Sequence, residues 1–190
     1  MEPFLERNLE KLSAYFLELS SVLEFVELYT RLFKLILKFS EKITRNYFSL
    51  IFATTFKLFQ INAKQNSFVL GVFSFSLSIL ENDPALGLWL QENYSEFNRF
   101  LLKTLENYKD PDLIKNFTNL QAKILLYDEL IFLNSKEYDE IMAVLLESLL
   151  NISEYAINRE ILLFFNSFVG VSMVYTSLFV NIFLRLSPVW

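Results

Sequence analysis

The chain has 190 residues, of which 53% are hydrophobic and 21 are Phe, and it carries a formal net charge of −5. It contains neither Cys nor His, which excludes disulfides, zinc–thiolate and iron–sulfur ligation, histidine-ligated haem, and Ser–His or Cys–His nucleophile pairs. The length fits one domain, and the scarcity of Gly (3) and Pro (4) predicts long helices joined by short turns.

The first 39 residues are predicted to be helical. Apolar side chains recur at spacings of three and four over residues 3–19, which places them on one helical face. Ser21 and Glu24 have the spacing of a capping box, so we expect a second helix to begin there and to end near Phe39. A continuous helix over residues 3–39 is the alternative.

Two apolar segments follow, at residues 43–62 and 67–80. The second is uncharged but only 14 residues long, which is short for a membrane span and suits a buried or re-entrant helix. Both segments are rich in β-branched and aromatic residues, so a strand is the alternative for each.

Two Asp-Pro pairs are typical of helix starts. Asp83 with Pro84, and Asp110 with Pro111, each place a capping carboxylate before a proline at the first helical position. The helix between the two pairs is predicted to bury a seam of apolar side chains: Leu86, Leu90, Tyr94, Phe97, Leu101, Leu105 and Tyr108.

A helix over residues 111–133 is predicted next, followed by one over residues 136–156. Asn134 and Glu137 have the spacing of a cap for the later helix. With these elements the sequence predicts an all-α fold of seven or eight helices, arranged as antiparallel helix pairs in a bundle or a short α-solenoid.

Adjacent carboxylates occur at Asp128–Glu129 and at Asp139–Glu140. A di-metal helical site needs Glu-x-x-His on facing helices, and the chain has no His. We therefore interpret these carboxylates as helix-start or solvated charges. No metal, cofactor, small-molecule substrate or catalytic residue is predicted, because no glycine-rich phosphate loop or nucleophile motif is present.

The C-terminal region is the most apolar part of the chain. Residues 161–184 carry no charge and as a helix would be long enough to span a membrane. The alternative is a central core helix. We predict an amphipathic body over residues 1–158 and an apolar helix over 159–190. One side of this helix carries small and polar residues that would pack against another helix: Asn166, Gly170, Ser177 and Asn181. Arg185 and Trp190 would anchor its end at the membrane–water interface.

Charge further limits the class of partner. Residues 1–64 contain nine Lys/Arg and seven Asp/Glu, whereas residues 65–160 contain seven and fifteen. An acidic centre repels phosphate backbones, so no nucleic-acid partner is expected. The large apolar fraction favours contact with protein subunits or a lipid bilayer.

Two functional hypotheses follow. The first is a non-catalytic structural or assembly subunit of a larger, membrane-associated complex. An organellar origin fits because Phe, Leu, Ser and Tyr are abundant and His and Cys absent, as in mitochondrially encoded membrane subunits. The second is a soluble, cytoplasmic α-helical scaffold or adaptor that binds a protein partner through an apolar groove.

Overall fold

The structure is a computed structural model that describes residues 2–63, 67–80, 83–108 and 110–172. Every regular element in these ranges is helical, which confirms the all-α class. One 3₁₀ turn at Ser67–Val69 precedes the fourth α-helix. The α-helices of the described residues are α1 (Glu2–Glu18), α2 (Leu23–Phe39), α3 (Glu41–Ile61), α4 (Leu70–Ile79), α5 (Pro84–Asn107), α6 (Pro111–Tyr127), α7 (Glu129–Leu133), α8 (Tyr138–Asn151) and α9 (Tyr155–Ser172).

Both Asp-Pro helix starts are confirmed. The Asp83 carboxylate accepts hydrogen bonds from the backbone N–H groups of Ala85 at 2.9 Å and Leu86 at 3.2 Å. The Asp110 carboxylate accepts one from the N–H of Leu113 at 3.1 Å. These bonds pair backbone donors that the first helical turn leaves free, so α5 and α6 begin where the sequence predicts.

The capping box at the start of α2 is wrong, and so is the continuous helix over residues 3–39. Helix α2 begins at Leu23, and its N-cap residue Val22 makes no side-chain capping bond. The turn between α1 and α2 is closed by the backbone instead, where the N–H of Val22 donates to the carbonyl of Leu19 at 3.0 Å. Ser21 lies within this turn.

The predicted helix over residues 111–133 is divided at Asp128. This carboxylate accepts hydrogen bonds from the N–H groups of Leu130 at 3.0 Å and Ile131 at 3.3 Å and caps the short helix α7. The extra break raises the number of α-helices in the described ranges to nine, instead of the seven or eight predicted. It also confirms that Asp128 is a helix-start charge.

The Asn134–Glu137 cap is wrong as well. Glu137 itself occupies the N-cap position of α8 and makes no side-chain bond to that helix. Its carboxylate bonds instead to side chains of α5 and of the turn before α8.

Residues 43–62 and 67–80 are helical, so the strand alternative is wrong for both segments. Helix α4 is buried on most of its circumference. Its hydroxyls at Ser74 and Ser76 donate to carbonyls four residues earlier, at 3.3 and 2.8 Å. A helix that is apolar nearly all round is typical of a position in a core, surrounded by other helices.

The order of contacts places the helices in two rows. Helices α2, α4, α6 and α9 contact one another in that order, and the contact of α6 with α9 is the most extensive. On the other side α1 contacts α3, and α3 contacts α5 through the rings of Phe56 and Phe97, whose centroids are 5.1 Å apart. A single cluster of buried apolar side chains runs through both rows.

Helix α9 belongs to this cluster. It begins at Tyr155, and its inner face buries Ile157, Ile161, Phe164 and Phe168. The division of the chain at residues 158 and 159 stays a prediction, because residues 173–190 lie outside the described ranges. Within the described residues, no helix combines the length and the apolar character that crossing a membrane requires.

Candidate binding groove

A groove of about 450 Å³ lies where α5 ends, α6 begins and α8 ends. Pro111, which follows the Asp110 cap at the start of α6, is one of the lining residues of the groove. Its apolar lining comes from all three helices and the residue after α8, namely Leu105, Pro111, Ile114, Val144 and Ile152.

The groove is acidic at its edge. Glu106 from α5 and Glu147 from α8 line it together with the neutral polar side chains of Ser148 and Asn151. Both carboxylates are exposed to solvent, and no Lys or Arg is among the lining residues that the structure describes. The groove therefore combines an apolar floor with the exposed Glu106 carboxylate at its edge, which favours an amphipathic occupant that carries a positive charge.

A second cleft, of about 410 Å³, lies between α5 and the α7 region, beside Ser95, Asp128 and Ser135. The neighbouring Glu137 side chain is only 7% exposed. Its carboxylate accepts hydrogen bonds from the hydroxyls of Ser95 at 2.7 Å and Ser135 at 3.0 Å, and from the guanidinium of Arg99 at 3.4 Å. These contacts tie α5 to the start of α8.

The Glu137 carboxylate is ionised at neutral pH. Burial by itself would raise its pKa, but the hydrogen bonds from Ser95, Ser135, its own backbone N–H and Arg99 outweigh burial and hold the pKa below its usual value. A carboxylate with several donors and a lowered pKa is a poor general acid or base at neutral pH. We assign it a structural role.

A buried polar chain joins α5 to α6. The Tyr94 hydroxyl donates to the Gln121 side-chain carbonyl at 2.6 Å, and the Gln121 amide donates to the Asn98 carbonyl at 2.8 Å. Burial raises the pKa of Tyr94, so the phenol stays protonated. The chain fixes the pairing of the two helices, because polar groups in a core are costly unless they are bonded.

Metal binding finds no support in the described part of the chain, where no group of three or more Asp or Glu side chains is placed to hold an ion. Asp139 and Glu140 lie in the first turn of α8 and are exposed. Their position confirms the interpretation as helix-start charges, since carboxylates in a first turn complement the helix dipole.

Two residues of the predicted packing stripe fall within α9. Asn166 and Gly170 are exposed on the side of α9 opposite the buried Ile161, Phe164 and Phe168. A Cβ atom added at Gly170 would meet no atom within 4 Å, so no described part of this chain packs closely there. The other stripe residues and both interface anchors lie outside the described residues: Ser177, Asn181, Arg185 and Trp190.

Reasoning from sequence missed the groove. Leu105 belongs to the apolar seam predicted for α5, and nothing in its spacing separates a groove wall from a closed core. The adjacency of Leu105 and Glu106 near the end of a helix is a weak signal, because exposed acids next to apolar residues are common. Comparison of the chain with protein-family models, with curated proteins and with solved structures gives no match.

Proposed function

We propose that the protein is a non-catalytic helical scaffold that binds a cationic amphipathic helix of a partner protein in the groove between α5, α6 and α8. The observation that carries this proposal is an apolar floor with exposed carboxylates at its edge and no cationic lining residue among those described. Amphipathic helices dock in such grooves through apolar side chains spaced three and four residues apart.

The order of helix contacts supports this proposal. Helices α1 with α2, α3 with α4, α5 with α6, and α8 with α9 are four consecutive pairs whose second members contact one another in a row. We infer a short α-solenoid from this order. Solenoids bind partners along surfaces formed between repeats, and the groove lies between the α5–α6 and α8–α9 pairs.

Binding of designed peptides tests the proposal. We expect a helical peptide of about four turns, with Leu on one face and Lys beside it, to bind the full chain. The same peptide with Glu at the Lys positions should bind about tenfold more weakly, because a like charge then faces Glu106. Fluorescence anisotropy of labelled peptides measures both affinities.

Charge reversal in the protein supplies the control. Glu106→Lys should weaken binding of the Lys peptide and strengthen binding of the Glu peptide. Glu96→Lys reverses an exposed charge on the same helix outside the groove and should leave the preference almost unchanged. Equal effects of the two variants, or equal affinity of the two peptides for the unmodified chain, would contradict the proposal.

Membrane association of the same scaffold is a second candidate, supported by the 24 uncharged residues 161–184. We expect the full chain to stay with lipid vesicles after alkaline carbonate extraction, and a chain ending at residue 172 to be released. Retention of both chains, or release of both, would count against an anchor in residues 173–190.

A further inference from the structure

Helix α2 presents a second apolar face that no described part of the chain buries. Its inner face is buried in the core at Val26, Tyr29, Phe33 and Leu37. The outer face carries five apolar residues at alternating spacings of three and four: Phe25, Leu28, Leu32, Leu35 and Phe39. Leu32 is half-buried, and the other four are 38–64% exposed.

This spacing is the heptad pattern by which one helix packs along another. A surface helix of a monomeric domain needs only one apolar stripe. In the turn between α1 and α2, Leu19 and Val22 are each 39% exposed as well. Exposed apolar residues along one helix face mark an interaction site.

Charges beside the outer face identify the partner. Glu24 and Glu27 lie in the first half of α2, whereas Arg31 and Lys38 lie in the second half. Arg31 forms an ion pair with Glu27 at 3.4 Å. Glu24, Arg31 and Lys38 each directly precede a residue of the outer face, the position at which helices of a coiled coil form ion pairs with each other. The charge of Arg31 is compensated by Glu27 of its own helix.

We propose that this outer face of α2 binds the same face of a second copy of the chain, with the two helices antiparallel. A two-fold axis near Leu32 then places Glu24 of each copy beside Lys38 of the other, so both ends of the interface carry complementary charges. A parallel pair would set Glu24 level with Glu24 and Lys38 level with Lys38, so neither side chain would gain an opposite charge from the other copy.

The proposal goes beyond the scaffold function. Helix α2 lies at one end of the row of contacting helices and α9 at the other, and the groove involves neither α2 nor its neighbours α1 and α4. A dimer through α2 therefore leaves both grooves open. Such a dimer presents two binding sites for helical partners, which increases the avidity for a partner with two such segments.

Sedimentation equilibrium of the full chain tests self-association. We expect a mass that rises with concentration to twice the 22.5 kDa of one chain. Leu28→Glu with Leu35→Glu should give the single-chain mass with unchanged helical circular dichroism, because both side chains are 53% exposed. The matched pair Leu88→Glu with Leu126→Glu, at positions 61% and 59% exposed, should still dimerise.

Crosslinking tests the orientation, and the absence of Cys from the chain makes it specific. A mixture of the Phe25→Cys and Phe39→Cys proteins should be joined by a short bismaleimide, while each protein alone should give little product. Lys38→Glu should weaken the dimer roughly tenfold, and adding Glu24→Lys should restore it, because the pairs are then reversed.

Several results would overturn the proposal. These are a single-chain mass at all concentrations, dimerisation that survives Leu28→Glu with Leu35→Glu, and efficient crosslinking of Phe25→Cys alone. Binding of the monomeric chain to anionic lipid vesicles through α2 would also overturn it, in favour of a membrane surface. Peptide binding in the groove should persist in the monomeric variant, so the dimer and the scaffold function fail separately.

Discussion

Replacing Phe164 with alanine (Phe164→Ala) is expected to lower the free energy of unfolding by about 3–5 kcal/mol, as for other fully buried Phe residues. The Phe164 side chain is 0% exposed, and its ring centroid lies 5.6 Å from that of Phe132 and 6.3 Å from that of Phe168. Removal of the ring opens a cavity between the buried face of α9 and the helices packed against it. These helices relax only partly into the cavity.

The control for this prediction is the neighbouring residue. Leu163 is 46% exposed on the outer side of α9, so Leu163→Ala should cost less than about 1 kcal/mol. Urea denaturation of the full chain, followed by circular dichroism, compares the two variants. Equal costs would mean that α9 does not pack on the body through the face that contains Phe164, as would be the case for a helix surrounded by lipid.

Glu137→Gln is expected to cost about 1–3 kcal/mol at pH 7, because it replaces a hydrogen-bonded carboxylate with a neutral amide in a largely buried site. The Ser95 and Ser135 hydroxyls and the Arg99 guanidinium then lose a charged acceptor. Glu140 lies in the same helix and is exposed, so Glu140→Gln should have little effect.

The cost of Glu137→Gln should depend on pH. Folding lowers the pKa of Glu137 from the ordinary value of 4.5, so the folded state favours the ionised form. The resulting stabilisation is complete above pH 4.5 and is lost as the pH falls through the folded-state pKa. Thermal unfolding at several pH values should show the difference between the unmodified chain and the variant shrinking in acid. A difference that grows in acid would mean that the pKa is raised.

Local chemistry explains which helix boundaries the sequence predicts correctly. The starts at Asp83 and Asp110 depend on a carboxylate and a proline that are adjacent in the chain, so the interaction is specified within four residues. The failure at Ser21 has a physical reason too. The backbone hydrogen bond from Val22 to Leu19 closes a turn that contains Ser21, so Val22 and not Ser21 occupies the N-cap position of α2.

Long-range contacts explain what the sequence does not predict. Glu137 has the right spacing for a cap, but its partners Ser95 and Arg99 lie about 40 residues earlier in the chain. The groove likewise depends on the distance between α5 and α8, which the stacking of helix pairs determines and helical periodicity does not. The apolar residues on the outer face of α2 have heptad spacing in the sequence. The sequence does not show which face of α2 is exposed, because that depends on Val26 and Phe33 being the residues that enter the core.

The location of a bound partner tests the central claim most directly. Hydrogen–deuterium exchange of the full chain, with and without the Lys-flanked peptide, measures protection along the backbone. Binding in the groove predicts slower exchange at the end of α5, the start of α6 and the end of α8, and no such change with the Glu-flanked peptide. Protection confined to α2 or to the outer face of α9, or the same protection with both peptides, would contradict the assignment of the groove as the binding site.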